Sequence, residues 1–225
     1  MRAKNYFVMD TETVGLQPRN YVYDLGYTIC NKKGEILKER NFLVRDVITN
    51  PDLMMRAFYA KKVFSFYLPA LDLQTVRLTD WRDIIATIRH DVLAYNIDCI
   101  TAYNARFDIG AIKATSNLLG TGKVLKNRID LLCIWQFACQ TILNTRGYHL
   151  AAEKFGWISD AGNVRTTAEH TYKYITGNAD FIEGHTALSD ALIETEILAH
   201  CFRQHKKIPY NELAYMPWQI AQEIQ

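Results

Sequence analysis

Tyr6-Phe7-Val8-Met9 is an unbroken apolar run that gives way to Asp10-Thr11-Glu12-Thr13 with no turn residue between. A run of that length fits a short strand covered on both faces. Side chains leave a strand on alternate sides, so Asp10 and Glu12 point the same way if the extended backbone continues through them. The chain therefore asks its fold for an inner strand that delivers two carboxylates to one place. Two readings of that place stand. The acids are gathered for a cation, because like charges this close otherwise repel. Or they form an acidic strand-to-loop corner in which Asp10 caps a turn.

The pattern around this strand sets the fold class. Residues 22–30 alternate apolar with small or polar side chains, Asn31-Lys32-Lys33-Gly34 is a turn signal, and 36–44 reads as the partner strand of a hairpin. Thr79-Asp80 supplies an N-cap for a helix over 81–95, with Trp81, Ile84, Ile85, Ile88, Val92 and Leu93 at helical spacing. Residues 98–102 read as a short inner strand and 109–119 as the helix after it, ended by Gly120 and Gly122. Residues 128–133 are a strand or the start of a helix reaching Leu143, and helices follow over 149–155, 166–175 and 186–202. The stretch 47–76, with Tyr59, Phe64, Phe66, Tyr67 and two prolines, fits no single element type. A hairpin followed by alternating strands and helices predicts an α/β domain, a mixed central β-sheet flanked by helices. No repeat or linker interrupts the chain, so one domain is expected over 1–208, with a tail or terminal helix over 209–225.

Composition excludes more than it identifies. With 225 residues, 49% of them hydrophobic, the chain can bury roughly 70% of its unfolded surface and needs no metal or disulfide staple. A net charge of +2 permits a polyanionic partner without demanding one, so a nucleic-acid claim must come from a site. No apolar run approaches the ~20 residues of a membrane span, and the one near the N-terminus is too short for a secretory signal. A cytoplasmic protein with no membrane partner is the expectation. The five cysteines, odd in number and without a CxxC pair, read as free thiols in a reducing compartment. Cys133 and Cys139 lack both the spacing and the nearby His of a zinc site.

Two further segments have the character of the first. From Ile100 to Asp108 an apolar strand again ends in polar residues and a carboxylate. Read locally, Asp108 is an N-cap for a helix beginning at Ile109, and Asn104 closes a turn. From Glu183 to Ala191 a Gly-His pair precedes the last long helix, and Ala187, Asp190, Ala191 and Glu194 share one face of it. Small alanines beside an acid suit a helix packed close to a sheet, with its carboxylate turned into a site. Acids at a helix start are also favoured by the macrodipole alone. Glu194, one turn beyond Asp190, is a candidate for a supporting role.

Together the three segments resemble the DEDDh family of metal-dependent 3′→5′ exonucleases, related to the DnaQ-like proofreading exonuclease of bacterial DNA polymerases. The family's D-x-E motif falls on Asp10 and Glu12 within MDTETVGL. Its N-x-x-F-D motif falls on Asn104, Phe107 and Asp108, and its H-x-x-x-x-D motif on His185 and Asp190 within HTALSDA. The resemblance runs over roughly 5–202, with only these segments specific. Tyr103 stands where the family often has His, and 47–76 matches nothing in it, so substrate preference does not carry over.

The resemblance implies a ribonuclease H-like fold and release of nucleoside 5′-monophosphates from the 3′ end of single-stranded DNA or RNA. It implies one divalent ion on Asp10, Glu12 and Asp190 and a second on Asp10 with Asp108. Donors that are all oxygen suit Mg²⁺ or Mn²⁺ and not zinc. Two such ions roughly 4 Å apart serve the attacking water and the departing 3′ oxygen. His185 is implied as the base that takes the water's proton. Thr11, Thr13 and Leu16 are expected around the terminal nucleotide, Leu16 as a wedge against its base. Asn104 either bonds the substrate or orients its loop, and Phe107 either packs beneath the site, the favoured reading, or stacks. Lys61, Lys62 and the aromatics from Tyr59 to Tyr67 form either a strand-guiding surface or a solvated basic pair beside core aromatics. A proofreading role would bring in a DNA polymerase as a separate partner; the oligomeric state is open.

Two other readings compete. One is a non-catalytic module that binds nucleic acid or a polymerase on the same fold; four retained carboxylates and His185 weigh against it, since repulsion would favour losing some. The other is an endonuclease of the same broad fold, which typically lacks the His-to-Asp spacing.

Overall fold

The computed structural model describes residues 5–15, 19–57, 61–124 and 129–224. Six strands form one sheet: β1 (Asn5–Val14), β2 (Tyr21–Asn31), β3 (Ile36–Val44), β4 (Arg77–Thr79), β5 (Ile97–Ala102) and β6 (Asp130–Cys133). Their order across the sheet is β4-β3-β2-β1-β5-β6. The hairpin pairs β1–β2 and β2–β3 are antiparallel, while β1–β5, β5–β6 and β3–β4 are parallel. This is the mixed sheet expected. The helices are α1 (Arg45–Ile48), α2 (Pro51–Met54), α3 (Leu68–Asp72), α4 (Trp81–Ala94), α5 (Ala105–Leu118), α6 (Ile134–Ala138), α7 (Arg146–Phe155), α8 (Ala168–Thr176) and α9 (Ala187–Arg203). Wide π-type turns cover Val63–Tyr67 and Cys139–Leu143, and a 3₁₀ turn covers Pro217–Gln222.

Two clusters of buried side chains lie on the two faces of β1. Phe7 and Met9 join Leu25, Tyr27, Trp81 and Ile84 in one, and Tyr6 and Val8 join Phe137, Ile197 and Leu198 in the other. The alternation of β1 thus feeds both cores, which is why Tyr6 to Met9 had to be apolar without a break. β2, read from its alternation of apolar with small or polar side chains, is buried along nearly its whole length. Its interior is covered on both faces because α9 lies against it on one side and α4 and α5 close the other.

Local signals were redirected in three places. Asp80 holds the N-cap position of α4 as expected, but its side chain makes no capping bond: it pairs with Arg45 Nε at 2.7 Å, and Asp46 accepts the Trp81 N–H at 2.8 Å instead. Leu93 falls off the buried stripe of α4 and is exposed; Asp91 takes the inward position and binds Arg40 at 2.8 Å and the Tyr27 hydroxyl at 2.9 Å. α5 starts at Ala105, a full turn before the expected Ile109. Ala105 is buried in the core and the Phe107 N–H closes the first turn on Asn104 O at 2.8 Å, so packing nucleates the helix early.

Residues 130–133 are strand and 134–143 helical, so both readings of that stretch hold in sequence. Beyond α9 the chain returns along β6. Asn211 exchanges backbone and side-chain bonds with Leu131 and Asp130 at 2.7–2.9 Å, and the Ala214 N–H donates to Gln136 Oε1 at 2.7 Å. These bonds cover the free edge of the sheet. All five cysteines are buried thiols. Among the described residues no helix is long and apolar enough to cross a membrane.

Candidate active site

β1 is the strand at which the sheet changes direction, with antiparallel β2 on one side and parallel β5 on the other. In open α/β sheets a crevice forms beyond the strand ends at such a point. The β1–β5 ladder stops at Val8 and Thr101, and β1 continues past it, so Asp10, Thr11 and Glu12 lie beside the opening. A cleft of about 250 Å³ occupies it.

Asp10 and Glu12 leave β1 on the face that carries α9, and Asp190 comes down from the first turn of that helix to meet them. One carboxylate oxygen from each of the three lies within 4.8 Å of the others. The approach of α9 depends on Gly26, which pairs with Asp10 across the hairpin. The face of Ala187, Asp190, Ala191 and Glu194 is buried as its spacing predicts.

Asp108 lines the same cleft but stands outside that tight trio. It sits inside the first turn of α5, so it is not the N-cap; Asn104 holds that position, with no side-chain capping bond. The Thr11 hydroxyl donates to Asp108 Oδ1 at 2.8 Å. Thr11, expected on the substrate, lines the cleft and there fixes this acid.

The acids crowd one another. Burial, with the charges of Glu194, Asp108, Asp190 and Glu12 added, drives Asp10 well above the usual carboxylate range. Burial, then Asp190, pushes Glu12 up to about 8. Asp108 rises to about 7 through burial, against the Thr11 bond. Asp190 rises to about 6 by burial, opposed by the Ser189 hydroxyl at 2.9 Å. Such a set takes up protons or a cation, and its donors are all hard oxygens.

His185 lines the cleft beside them, half-buried, with a left-handed φ of +51°. Its Nδ1 is 3.7 Å from Glu183 Oε2, and burial, with Lys62 adding to it, lowers the imidazole's pKa. Asn104 is exposed at the rim, and Phe107, half-buried, forms part of the wall and belongs to neither buried cluster. Thr13 lies past a register shift in β1, opposite Val22, and does not line the cleft. Leu16 and Tyr59 lie outside the described residues.

Three acids beyond the expected four belong to this centre. Glu194 is buried and lines the cleft, and its Oε2 accepts the Tyr103 N–H at 3.0 Å, tying α9 to the end of β5. Glu183, half-buried in the same wall, is pushed up to about 7 by burial and then Asp190. Asp24, opposite Glu12 on β2, is fully buried; its Oδ2 accepts the Tyr67 hydroxyl at 2.8 Å and the Ala187 N–H at 3.0 Å. Asp24 thereby caps α9 from a neighbouring strand. One signal for it was present: a lone acid inside the otherwise apolar run YVYDLGYTIC.

No protein-family model matches this chain, and no curated protein matches it in sequence. Solved structures do match. Escherichia coli exonuclease I in complex with a 5cy-dT13 oligonucleotide is 14% identical, with a TM-score of 0.58 over 91% of this chain and 41% of that one. The zinc-bound form of the E. coli exonuclease I–ssDNA complex is 12% identical, with a TM-score of 0.57 over 91% of this chain and 42% of that one. Exonuclease I from Methylocaldum szegediense is 14% identical, with a TM-score of 0.56 over 90% and 41%. The chain spans about two fifths of the length of these structures. At such identity the likeness is one of fold: this is an α/β chain of the ribonuclease H-like fold, with a mixed six-stranded sheet flanked by helices.

Proposed function

We propose that this chain is a metal-dependent 3′→5′ exonuclease of DEDDh type, which removes nucleoside 5′-monophosphates from single-stranded DNA or RNA. One observation carries the reading: Asp10, Glu12 and Asp190, from a strand and a helix far apart in the chain, place carboxylate oxygens within 4.8 Å of one another. Acids so close together, Asp190 buried and Asp10 and Glu12 half-buried, are relieved by a positive partner. The donor set fits Mg²⁺ or Mn²⁺, with Asp10, Glu12 and Asp190 for one ion and Asp10 with Asp108 for a second. When bound, such ions neutralise the phosphodiester and make the attacking water a stronger acid.

The protein's own groups do the rest. His185 takes a proton from the water at an imidazole nitrogen, and burial, which keeps the ring neutral, suits a proton acceptor near pH 7. Thr11 holds Asp108, Glu194 holds the turn after β5, and Asp24 holds the start of α9. Phe107 and Asn104, on the wall and rim, meet the terminal nucleotide. The solved complexes of E. coli exonuclease I with single-stranded DNA favour DNA as the strand. The cytoplasm suits such an enzyme, and a polymerase partner belongs only to a proofreading role.

The test is digestion of end-labelled DNA and RNA oligonucleotides with Mg²⁺, with Mn²⁺ and with EDTA. Mononucleotides released from the 3′ end with either ion, and nothing in EDTA, support the reading. Binding without shortening would point to a non-catalytic module, and cleavage of a circular strand to an endonuclease.

A further inference from the structure

The segment that the sequence left unassigned is pinned beside the cleft at two points. Tyr67, fully buried, donates its hydroxyl to Asp24 at 2.8 Å. Five residues earlier, Lys62 Nζ donates to the carbonyl of Gly184 at 2.7 Å and also to that of His185. These two carbonyls belong to the peptides on either side of the His185 α-carbon. In extended backbone, successive carbonyls face opposite ways; in helical backbone of either hand they face the same way. His185 has the left-handed φ of +51°, uncommon for a residue with a Cβ. That torsion turns both carbonyls to one side, where a single ammonium meets them. The same ammonium lies in the field of Glu12, Asp190, Asp24 and Glu183, so acids surround it as it holds the loop. Lys61 beside it is exposed.

We infer that Lys62 is a positioning residue for His185. By binding the two flanking carbonyls it holds the left-handed backbone of that residue, and with it the direction from which the imidazole enters the cleft. This rests on the exonuclease reading only where His185 is taken as the proton acceptor; the clamp itself does not. It also departs from a strand-guiding role, in which the ammonium would meet phosphates and set substrate affinity.

The test compares wild type, Lys62→Met and Lys62→Arg in two measurements. In amide hydrogen exchange of the metal-free protein, Lys62→Met is expected to speed exchange across residues 183–190 while leaving 5–14 unchanged, and Lys62→Arg to stay near wild type. On a labelled single-stranded oligonucleotide, Lys62→Met is expected to lower kcat by about ten- to a hundredfold with KM nearly unchanged, and Lys62→Arg to recover most of it. Unchanged exchange in Lys62→Met overturns the clamp. Unchanged kcat, or a rise in KM alone, overturns the positioning role. If the wild type digests nothing, the exonuclease reading fails, and hydrogen exchange still decides whether the clamp exists.

Discussion

A Cβ built on Gly26 would lie 2.1 Å from the backbone nitrogen of Leu188. Strand β2 and the first turn of α9 touch backbone to backbone there, and no L side chain other than glycine's hydrogen fits. Gly26 pairs with Asp10, and Leu188 lies two residues before Asp190. One missing methyl group therefore sets how closely the acid on the helix approaches the acid on the strand.

Gly26→Ala should push the start of α9 away from the sheet. Overpacking of this kind costs about 1–3 kcal/mol or more. Both the urea midpoint and the Mn²⁺ affinity should fall, read by chemical unfolding and by titration calorimetry. Wild-type values for both would mean that the helix is not seated on Gly26.

Asp24→Ala removes the acceptor shared by Ala187 N–H and the Tyr67 hydroxyl, leaving both buried groups unsatisfied. Each orphaned group costs about 1–3 kcal/mol, so the urea midpoint should drop clearly. Asp24→Asn keeps an acceptor oxygen and should lose much less. Equal loss in the two variants would show that the charge, and not the hydrogen bonding, matters.

The acidic centre makes the metal-free protein prefer low pH. Glu12 titrates near 8 in the folded state and near 4.3 unfolded, so above pH 4 the folded chain holds a proton that the unfolded chain has released. Stability from this group is present below about pH 4 and is lost as pH rises toward 8. The half-buried His185, His170 and His200 shift the opposite way, so the informative quantity is a difference between proteins. In EDTA, Glu12→Gln should raise Tm at pH 8 and change it little at pH 5. With Mn²⁺ the wild type should gain more than the variant. A variant less stable than wild type at pH 8 in EDTA would contradict the assigned repulsion.

Asp10→Asn should abolish nuclease activity without loss of fold, because it removes the carboxylate common to both proposed ions. His185→Ala should slow the reaction about 10²- to 10⁴-fold, as for a lost general base. Rates on a labelled oligonucleotide, beside circular dichroism spectra, measure both. A His185→Ala enzyme at full speed would remove that residue from the chemistry.

Read from the chain alone, β1 already had its burial, its two-faced apolar run and the shared direction of Asp10 and Glu12. Those are consequences of a period of two, a property of neighbours in sequence. The buried face of α9, with Asp190 and Glu194 on it, followed equally from a period of 3.6. The hairpin and the helix spans came from turn residues and spacing, within a few residues of their ends. What local pattern could not supply was who meets whom across the sheet. Asp24 and Ala187 are 163 residues apart, Lys62 and His185 123, and Tyr103 and Glu194 91. Asp80 and Asp108 both looked like caps, and a neighbouring element gave each another partner, Arg45 for one and Thr11 for the other. Spacing chose which face each acid occupies; strand register and the close seating of α9 on Gly26 chose which acids share a cleft, because that depends on backbone contacts made only after the layers pack.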